Sequence, residues 1–214
     1  SLGDVNGDGT LDLVITGYAN GDRSATLYLG DGTGGFTDAE AGLTGVWFSS
    51  SSLGDVDGDG ALDLVITGID ANNDRTATLY LGDGTGGFAD AQAGLTGVAF
   101  SSSSLGDVDG DGTLDLVITG SSTATLYLGD GDGGFTDAQA GLTGVIASSS
   151  SLGDIDGDGN LDLVITGSGA NGRTATLYLG DGDGGFTDAQ TGLTGVDFSS
   201  SSLGDVDGDG DVDL

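Results

Sequence analysis

Residues Asp4–Leu13 read DVNGDGTLDL. The stretch returns as DVDGDGALDL from Asp55, DVDGDGTLDL from Asp107, DIDGDGNLDL from Asp154 and DVDGDGDVDL from Asp205. Every copy has Asp at position 1, Asp or Asn at 3, Asp at 5, Gly at 6 and Asp at 9. Such spacing suits a hard cation, because Ca²⁺ takes about six to eight oxygens at roughly 2.3–2.6 Å from carboxylates, carbonyls and water. Side chains at positions 1, 3 and 5 can point into one concave loop, Gly at 6 permits the closing bend, and Asp at 9 completes the cage. Position 7 varies (Thr10, Ala61, Thr113, Asn160, Asp211), which fits a ligand supplied there by the backbone carbonyl.

An EF-hand loop opens in the same way, but it needs a bidentate Glu at position 12 and helices on both sides. Position 12 here is Ile15, Ile66, Ile118 or Ile165, and the run that follows, LDLVITG, is rich in β-branched residues and stops at Gly. The loop therefore feeds a strand, which argues against an EF-hand or a dockerin.

The loop Asp recurs at 4, 55, 107, 154 and 205, and a second landmark, LGDGTGGF or LGDGDGGF, places Phe at 36, 88, 135 and 186. Both landmarks shift together, so the repeat is one structural unit. A shortening in the third unit falls between ITG and TATLYLG, where YANGDRSATLYLG of the first unit becomes SSTATLYLG; this marks a surface hairpin. One unit reads as four strands. The first, Val46 to Val56 in the second unit, runs into the Asp-rich loop. The second is LDLVITG, beginning at Leu62, whose apolar run suits burial on both faces. The third is TATLYLG, and the fourth is FTDAQAGLTGV at an outer edge. Four strands in about 50 residues, repeated, are the signature of a β-propeller blade. The Ser tracts at 49–52, 101–104, 148–151 and 199–202 fit a first strand lining a crowded axis, where small side chains are accommodated.

Composition agrees with a folded, acidic, all-β chain. Its 214 residues carry a net charge of −32, with 46 Gly, three Arg and no Pro, Cys, His, Met or Lys. Such a charge repels nucleic acid and anionic membranes. No apolar run reaches the length of a membrane span. Without His, Cys or Lys the usual nucleophile–base pairs cannot be assembled, and the single Glu, Glu40, leaves little for carboxylate chemistry outside the loops; the chain is not expected to be an enzyme. Millimolar Ca²⁺ outside cells matches the affinity of extracellular Ca²⁺ modules, so an extracellular or cell-surface location is expected.

In these loops and turns the chain resembles the FG-GAP/VCBS repeat family, the blade type of integrin α-subunit propellers. The resemblance rests on D-x-[DN]-x-D-G-x-x-D followed by an apolar strand and by LGDGxGGF, and it spans essentially the whole chain. It implies that each loop joins the first two strands of a blade and holds Ca²⁺ through positions 1, 3, 5, 7 and 9. Those positions are Asp4, Asn6, Asp8, Thr10 and Asp12, then Asp55, Asp57, Asp59, Ala61 and Asp63. They continue as Asp107, Asp109, Asp111, Thr113 and Asp115, then Asp154, Asp156, Asp158, Asn160 and Asp162, and finally Asp205, Asp207, Asp209, Asp211 and Asp213. Up to five Ca²⁺ are therefore expected. The first loop, with Asn6, has one charge fewer and is expected to be the weakest of the complete loops.

The expected architecture is one repeat domain over residues 1–214, with units at about 1–48, 49–100, 101–147 and 148–198 and a partial unit at 199–214. That makes four blades plus a partial fifth. Because the chain begins and ends in the same phase, the simplest account is a window of a longer array, ring or fibre. Near-identical units suit self-association or neighbouring repeats. The expected work is structural or adhesive, as in a surface-layer or fibre component. The alternative is an integrin-like head that takes a protein or glycan. Asp31, Asp83, Asp130 and Asp181 in the GDGxGG turns are expected to form ordinary Asx turns. Trp47 has Ala99, Ile146 and Asp197 as equivalents, so it does not make a repeated sugar platform, and the Tyr of the third strand is expected in the core.

Overall fold

In the computed structural model, which describes residues 1–206 and 212–213, the strands form four four-stranded antiparallel sheets, with no helix among the described residues. The first sheet holds β1 (Leu2–Gly3), β2 (Asp12–Ala19), β3 (Asp22–Gly30) and β4 (Phe36–Asp38); the second holds β5 (Trp47–Gly54), β6 (Asp63–Ile69), β7 (Arg75–Gly82) and β8 (Phe88–Asp90). The third is β9 (Ser102–Gly106), β10 (Asp115–Gly120), β11 (Thr123–Gly129) and β12 (Phe135–Asp137). The fourth is β13 (Ile146–Gly153), β14 (Asp162–Gly169), β15 (Gly172–Gly180) and β16 (Phe186–Asp188). Each sheet is a meander whose strands pair in chain order, the blade arrangement of a β-propeller. In three of the four blades the LDLVITG strand is buried on both faces, as its unbroken apolar run requires: β10 is buried throughout, β6 at all but its last residue and β14 at all but its last two, whereas in β2 Ile15 is exposed.

The chain divides into two compact units, residues Ser1–Ala99 with Asp130–Phe135, and Phe100–Gly129 with Thr136–Leu214. Within the first, Val5, Val14, Leu27 and Val46 of the first blade meet Leu64, Ile66 and Tyr80 of the second. Within the second, Val108, Val117, Leu126 and Val145 meet Leu163, Ile165 and Tyr178 at the same repeat positions. Full burial of each such Leu or Ile contributes about 1.5–3 kcal/mol. The Tyr hydroxyl is used as well: Tyr80 accepts the Thr44 N–H at 3.2 Å and Tyr178 accepts that of Thr143 at 3.0 Å. Tyr80→Phe keeps the packing and strands that N–H, so it is expected to cost about 1–2 kcal/mol in a denaturant melt.

Three of the four Ser tracts lie on the first strands β5, β9 and β13, the tract at 199–202 lies outside any strand, and serine hydroxyls join successive repeats at this place. Ser1 Oγ donates to Ser51 O at 2.6 Å, Ser104 and Ser150 hydroxyls lie 2.9 Å apart, and those of Ser151 and Ser201 lie 2.8 Å apart. Small side chains allow the close approach, and the hydroxyls of Ser1, Ser104, Ser150, Ser151 and Ser201 find partners there.

Two strand expectations are corrected. β5 runs Trp47–Gly54 rather than Val46 to Val56, and its register shifts between Trp47 and Ser50, with Phe48 at φ 50°. This bulge explains the Gly of ITG: a Cβ on Gly68 would sit 2.9 Å from Trp47 O. The fourth strand is only three residues long in every blade. It ends because Asp38 Oδ1 accepts the N–H of Glu40 at 2.8 Å and Glu40 turns into the left-handed region, φ 51°; Asp90, Asp137 and Asp188 do the same for Gln92, Gln139 and Gln190. The chain then returns through a single bridge, such as Ser24 to Val46, to enter the next blade.

Candidate metal centre

Each of the first four Asp-rich loops connects the first strand of a blade to the second, so its ends are pinned by a strand pair. In three loops the structure brings the carboxylates of positions 1, 3 and 9 together. These are Asp55, Asp57 and Asp63, then Asp107, Asp109 and Asp115, then Asp154, Asp156 and Asp162, with one oxygen from each lying within 4.8 Å of the others. Asp4, Asn6 and Asp12 occupy the same positions of the first loop. Asp207, Asp209 and Asp211 of the fifth loop lie outside the described residues; Asp205 and Asp213 flank them, and Val206 N–H reaches Asp213 Oδ2 at 3.0 Å.

Position 9 does more than the spacing revealed. Asp12, Asp63, Asp115 and Asp162 are almost wholly buried. In each, one oxygen accepts the N–H of the position-2 residue and the other accepts that of the Gly ending the third strand. For Asp63 these are Val56 at 2.7 Å and Gly82 at 2.8 Å. The carboxylate thereby ties the loop to β7. The Gly is required there, since a Cβ on Gly82 would collide with the Leu62 carbonyl. Burial, with the nearby Asp57 charge as a lesser cause, raises the Asp63 pKa; burial and Asp109 do the same for Asp115.

Position 5 behaves differently. Asp59, Asp111 and Asp158 are exposed and outside the triads, and each Oδ1 accepts the position-7 N–H at 2.8 Å. The side chain at position 7 contributes too: Thr10 Oγ1 reaches Asp8 Oδ1 at 2.6 Å and Gly30 O at 3.0 Å, and Asn160 Nδ2 donates to Asp158 Oδ2 at 3.1 Å. Backbone and side-chain donors of Thr113 likewise lower the Asp111 pKa.

At position 1 the fit to a cation can be tested. Asp55 Oδ2 accepts the Gly60 N–H at 3.1 Å, but its Oδ1 is buried without a hydrogen-bond partner, and so is Asp107 Oδ1. A buried, unpartnered carboxylate oxygen is costly, and here it stands among two further carboxylates. A divalent cation would supply the missing partner. Asp55, Asp57 and Asp63, and the corresponding residues of the other loops, are the side chains that would hold it, and Ca²⁺ matches their all-oxygen donor set.

In the first loop both oxygens of the position-1 carboxylate are satisfied by backbone N–H groups, as at Asp154 in the fourth, and here an amide stands at position 3. Asn6 Nδ2 donates to Asp8 Oδ2 at 3.0 Å, and Asp4 accepts N–H groups through both oxygens, from Asp8 at 3.1 Å and Gly9 at 2.8 Å. An amide thus does locally what a cation would do elsewhere. Asn6→Asp is expected to tighten Ca²⁺ binding at this loop about tenfold, equivalent to about 1.4 kcal/mol, in a site-resolved titration.

Protonation competes with metal at these sites. Because the Asp63 and Asp115 pKa values are raised above 3.8 in the folded, metal-free protein, protons return to them earlier than to an ordinary Asp as pH falls. Calcium affinity is therefore expected to weaken between neutral pH and about pH 4.5, measured by calorimetric titration at both. In EDTA the sign reverses for these two groups: their contribution to stability falls as pH rises from 3.8 through the raised pKa.

The GDGxGG turns are Asx-stabilised, as expected: Asp31 Oδ1 accepts the N–H groups of Thr33 at 2.8 Å and Gly35 at 2.9 Å, which lowers its pKa. Sequence reasoning missed what the turns touch. The turn of one blade packs beside the Asp-rich loop of the blade before it. A Cβ on Gly86 would lie 4.0 Å from that of Asn6, and one on Gly184 would lie 3.7 Å from that of Asp109. The repeated Gly residues are the signal for this close approach.

A model of the FG-GAP-like repeat matches residues 4–66, 55–118, 107–165 and 154–214. No curated protein matches the chain significantly. Among solved structures, an Agrocybe aegerita lectin, described as recognising non-reducing terminal N-acetylglucosamine, is 22% identical with a TM-score of 0.56, over 87% of this chain and 49% of its own. The Photorhabdus luminescens Tc holotoxin pore is 24% identical with a TM-score of 0.41, over 88% of this chain and 9% of its own. The V. cholerae biofilm matrix protein Bap1 is 18% identical with a TM-score of 0.34, over 86% and 37%. The chain thus spans less than half the length of each of these structures, and the lectin supports the propeller-type fold alone. Four overlapping matches cover nearly every residue, and the chain belongs to the FG-GAP-like repeat family.

Proposed function

We propose that this is an extracellular, calcium-stiffened repeat protein whose work is structural or adhesive, and that it is not an enzyme. The observation that carries the reading is the buried, unpartnered Oδ1 of Asp55 and Asp107 inside carboxylate triads. Cation binding there removes carboxylate repulsion and firms the loop against which the next blade's GDGxGG turn packs. Stiffening therefore passes from loop to blade contact, which is what a load-bearing array needs. The described residues include no helix long and apolar enough to cross a membrane. Limited proteolysis and electron microscopy of calcium-saturated and EDTA-treated protein test the role. Protease resistance and particle shape that depend on calcium support it; indifference to EDTA in both removes it.

A second reading, a ligand-binding head, is favoured by one observation. Repeat-to-repeat variation gathers at the hairpin between the second and third strands, where the first unit carries exposed Tyr18 tilted against Trp47, ring centroids 5.1 Å apart. A uniform scaffold has no need of such a difference.

A further inference from the structure

The variable hairpins decide whether the space between neighbouring blades is filled or open. In the first unit the hairpin runs Tyr18–Ala19–Asn20–Gly21–Asp22–Arg23 between the paired Gly17 and Ser24. Its side chains fill the space toward the second blade: Tyr18 packs on Trp47, and Arg23 Nη2 donates to Asn73 Oδ1 at 2.5 Å. In the third blade the pairing closes at Gly120 and Thr123, leaving only Ser121 and Ser122 in the turn. By register Ser121 and Ser122 replace Tyr18 and Arg23, and Ile146 replaces Trp47.

What that removal leaves is a cleft of about 480 Å³, lined among others by Ser122, Thr143, Ile146, Ser168, Asn171 and Arg173, all in the second compact unit. Its size falls within the range of small-ligand sites. The turn that opens it is held in an unfavourable conformation, with Ser121 and Ser122 at φ 53° and 68°, where Asn or Gly is preferred. Ser122 N–H to Val145 O at 3.0 Å and Thr123 Oγ1 to Gly120 O at 2.8 Å secure it.

The lining states the ligand chemistry. In a chain with 35 acidic residues, this cleft is lined by none, so a cation gains nothing there. Its one cationic residue, Arg173, is paired through Nε to Asp197 Oδ1 at 2.9 Å, which offsets its charge. Hydroxyl, amide and guanidinium groups that donate and accept surround the partly exposed face of Ile146. From these features we propose that the cleft binds a neutral saccharide ring, its hydroxyls on Asn171, Arg173 and the Ser and Thr hydroxyls, its C–H face on Ile146. The proposal rests on the second reading above and gives that head a particular site.

Saturation-transfer NMR of the calcium-loaded chain tests it, with glucose, galactose, mannose, N-acetylglucosamine and glucuronate as probes. Ile146→Trp restores the first unit's filled cleft at an exposed position, and Asn171→Ala removes a lining donor from a hairpin tip; circular dichroism confirms that both fold. The expected result is transfer to at least one neutral sugar, abolished by Ile146→Trp and weakened at least fivefold by Asn171→Ala. Three outcomes overturn the proposal. Neutral-sugar binding unchanged in Ile146→Trp moves the site elsewhere and spares the head reading. Binding of glucuronate alone makes the cleft an anion site. Binding of none of the probes removes the saccharide assignment, while a protein ligand on the hairpin face, read by pull-down with Tyr18→Ala, remains a separate test of the head.

Discussion

Removing calcium is expected to lower the melting temperature by roughly 15–30 °C. With extracellular-type dissociation constants of about 10⁻⁴–10⁻³ M, millimolar calcium at about 10–100 times that constant stabilises by about 1.4–2.7 kcal/mol per site. Three carboxylate triads and the amide-bearing first loop then sum to roughly 5–10 kcal/mol, and a chain of this length shifts by about 2–4 °C per kcal/mol. Scanning calorimetry in calcium and in EDTA reads the difference directly. Magnesium should restore little of it, because Mg²⁺ dehydrates reluctantly and demands near-ideal octahedral geometry, whereas Ca²⁺ accepts irregular oxygen sets.

Positions 9 and 1 of the loop are expected to separate cleanly. Asp63→Ala leaves the N–H groups of Val56 and Gly82 without their acceptors, so it should destabilise by about 2–4 kcal/mol even in EDTA. Relief of a buried charge keeps the cost from being larger, since burial already disfavours the Asp63 anion. Asp55→Asn is different. Its Oδ1 has no partner within the protein and stands among two further carboxylates, so in EDTA the substitution, which removes a charge, should leave stability unchanged or raise it. In calcium it should lose one site's contribution, about 1.4–2.7 kcal/mol. Denaturant melts of both variants in both conditions give the four numbers. Equal cost of Asp55→Asn with and without calcium would mean that the loop is an acidic turn and nothing more.

Much of this was legible from the repeat. Four in-phase Asp-rich loops feeding LDLVITG announced a strand after each of them, and the second landmark gave the third strand and its turn. The Tyr of the third strand was expected to pack in the core at a strand end, and Tyr80, Tyr127 and Tyr178 are buried there while Tyr28 is half-buried. The fourth strand was read too long because FTDAQAGLTGV looks extended, and the Asp38–Glu40 type of Asx turn that stops it is a local hydrogen bond that apolar patterning does not register. The first strand was read as regular because its bulge depends on Gly68 making room for the Trp47 carbonyl, a contact between strands. At the site, alternation placed positions 1, 3 and 5 together, but backbone N–H groups hold Asp59 at position 5 in its own turn while Asp63 closes on Asp55 and Asp57. The open cleft was visible only as a shortened hairpin; its meaning needed the register that sets Ser122 against Arg23 and Ile146 against Trp47.

The most direct measurement is anomalous diffraction from crystals of this chain grown with calcium. Ion density is expected within about 2.3–2.6 Å of Asp55 Oδ1 and Asp107 Oδ1, ringed by Asp57 and Asp63 in one loop and by Asp109 and Asp115 in the other. Loops without ions at saturating calcium, or ions seated instead on Asp31 and Asp83 in the GDGxGG turns, would contradict it.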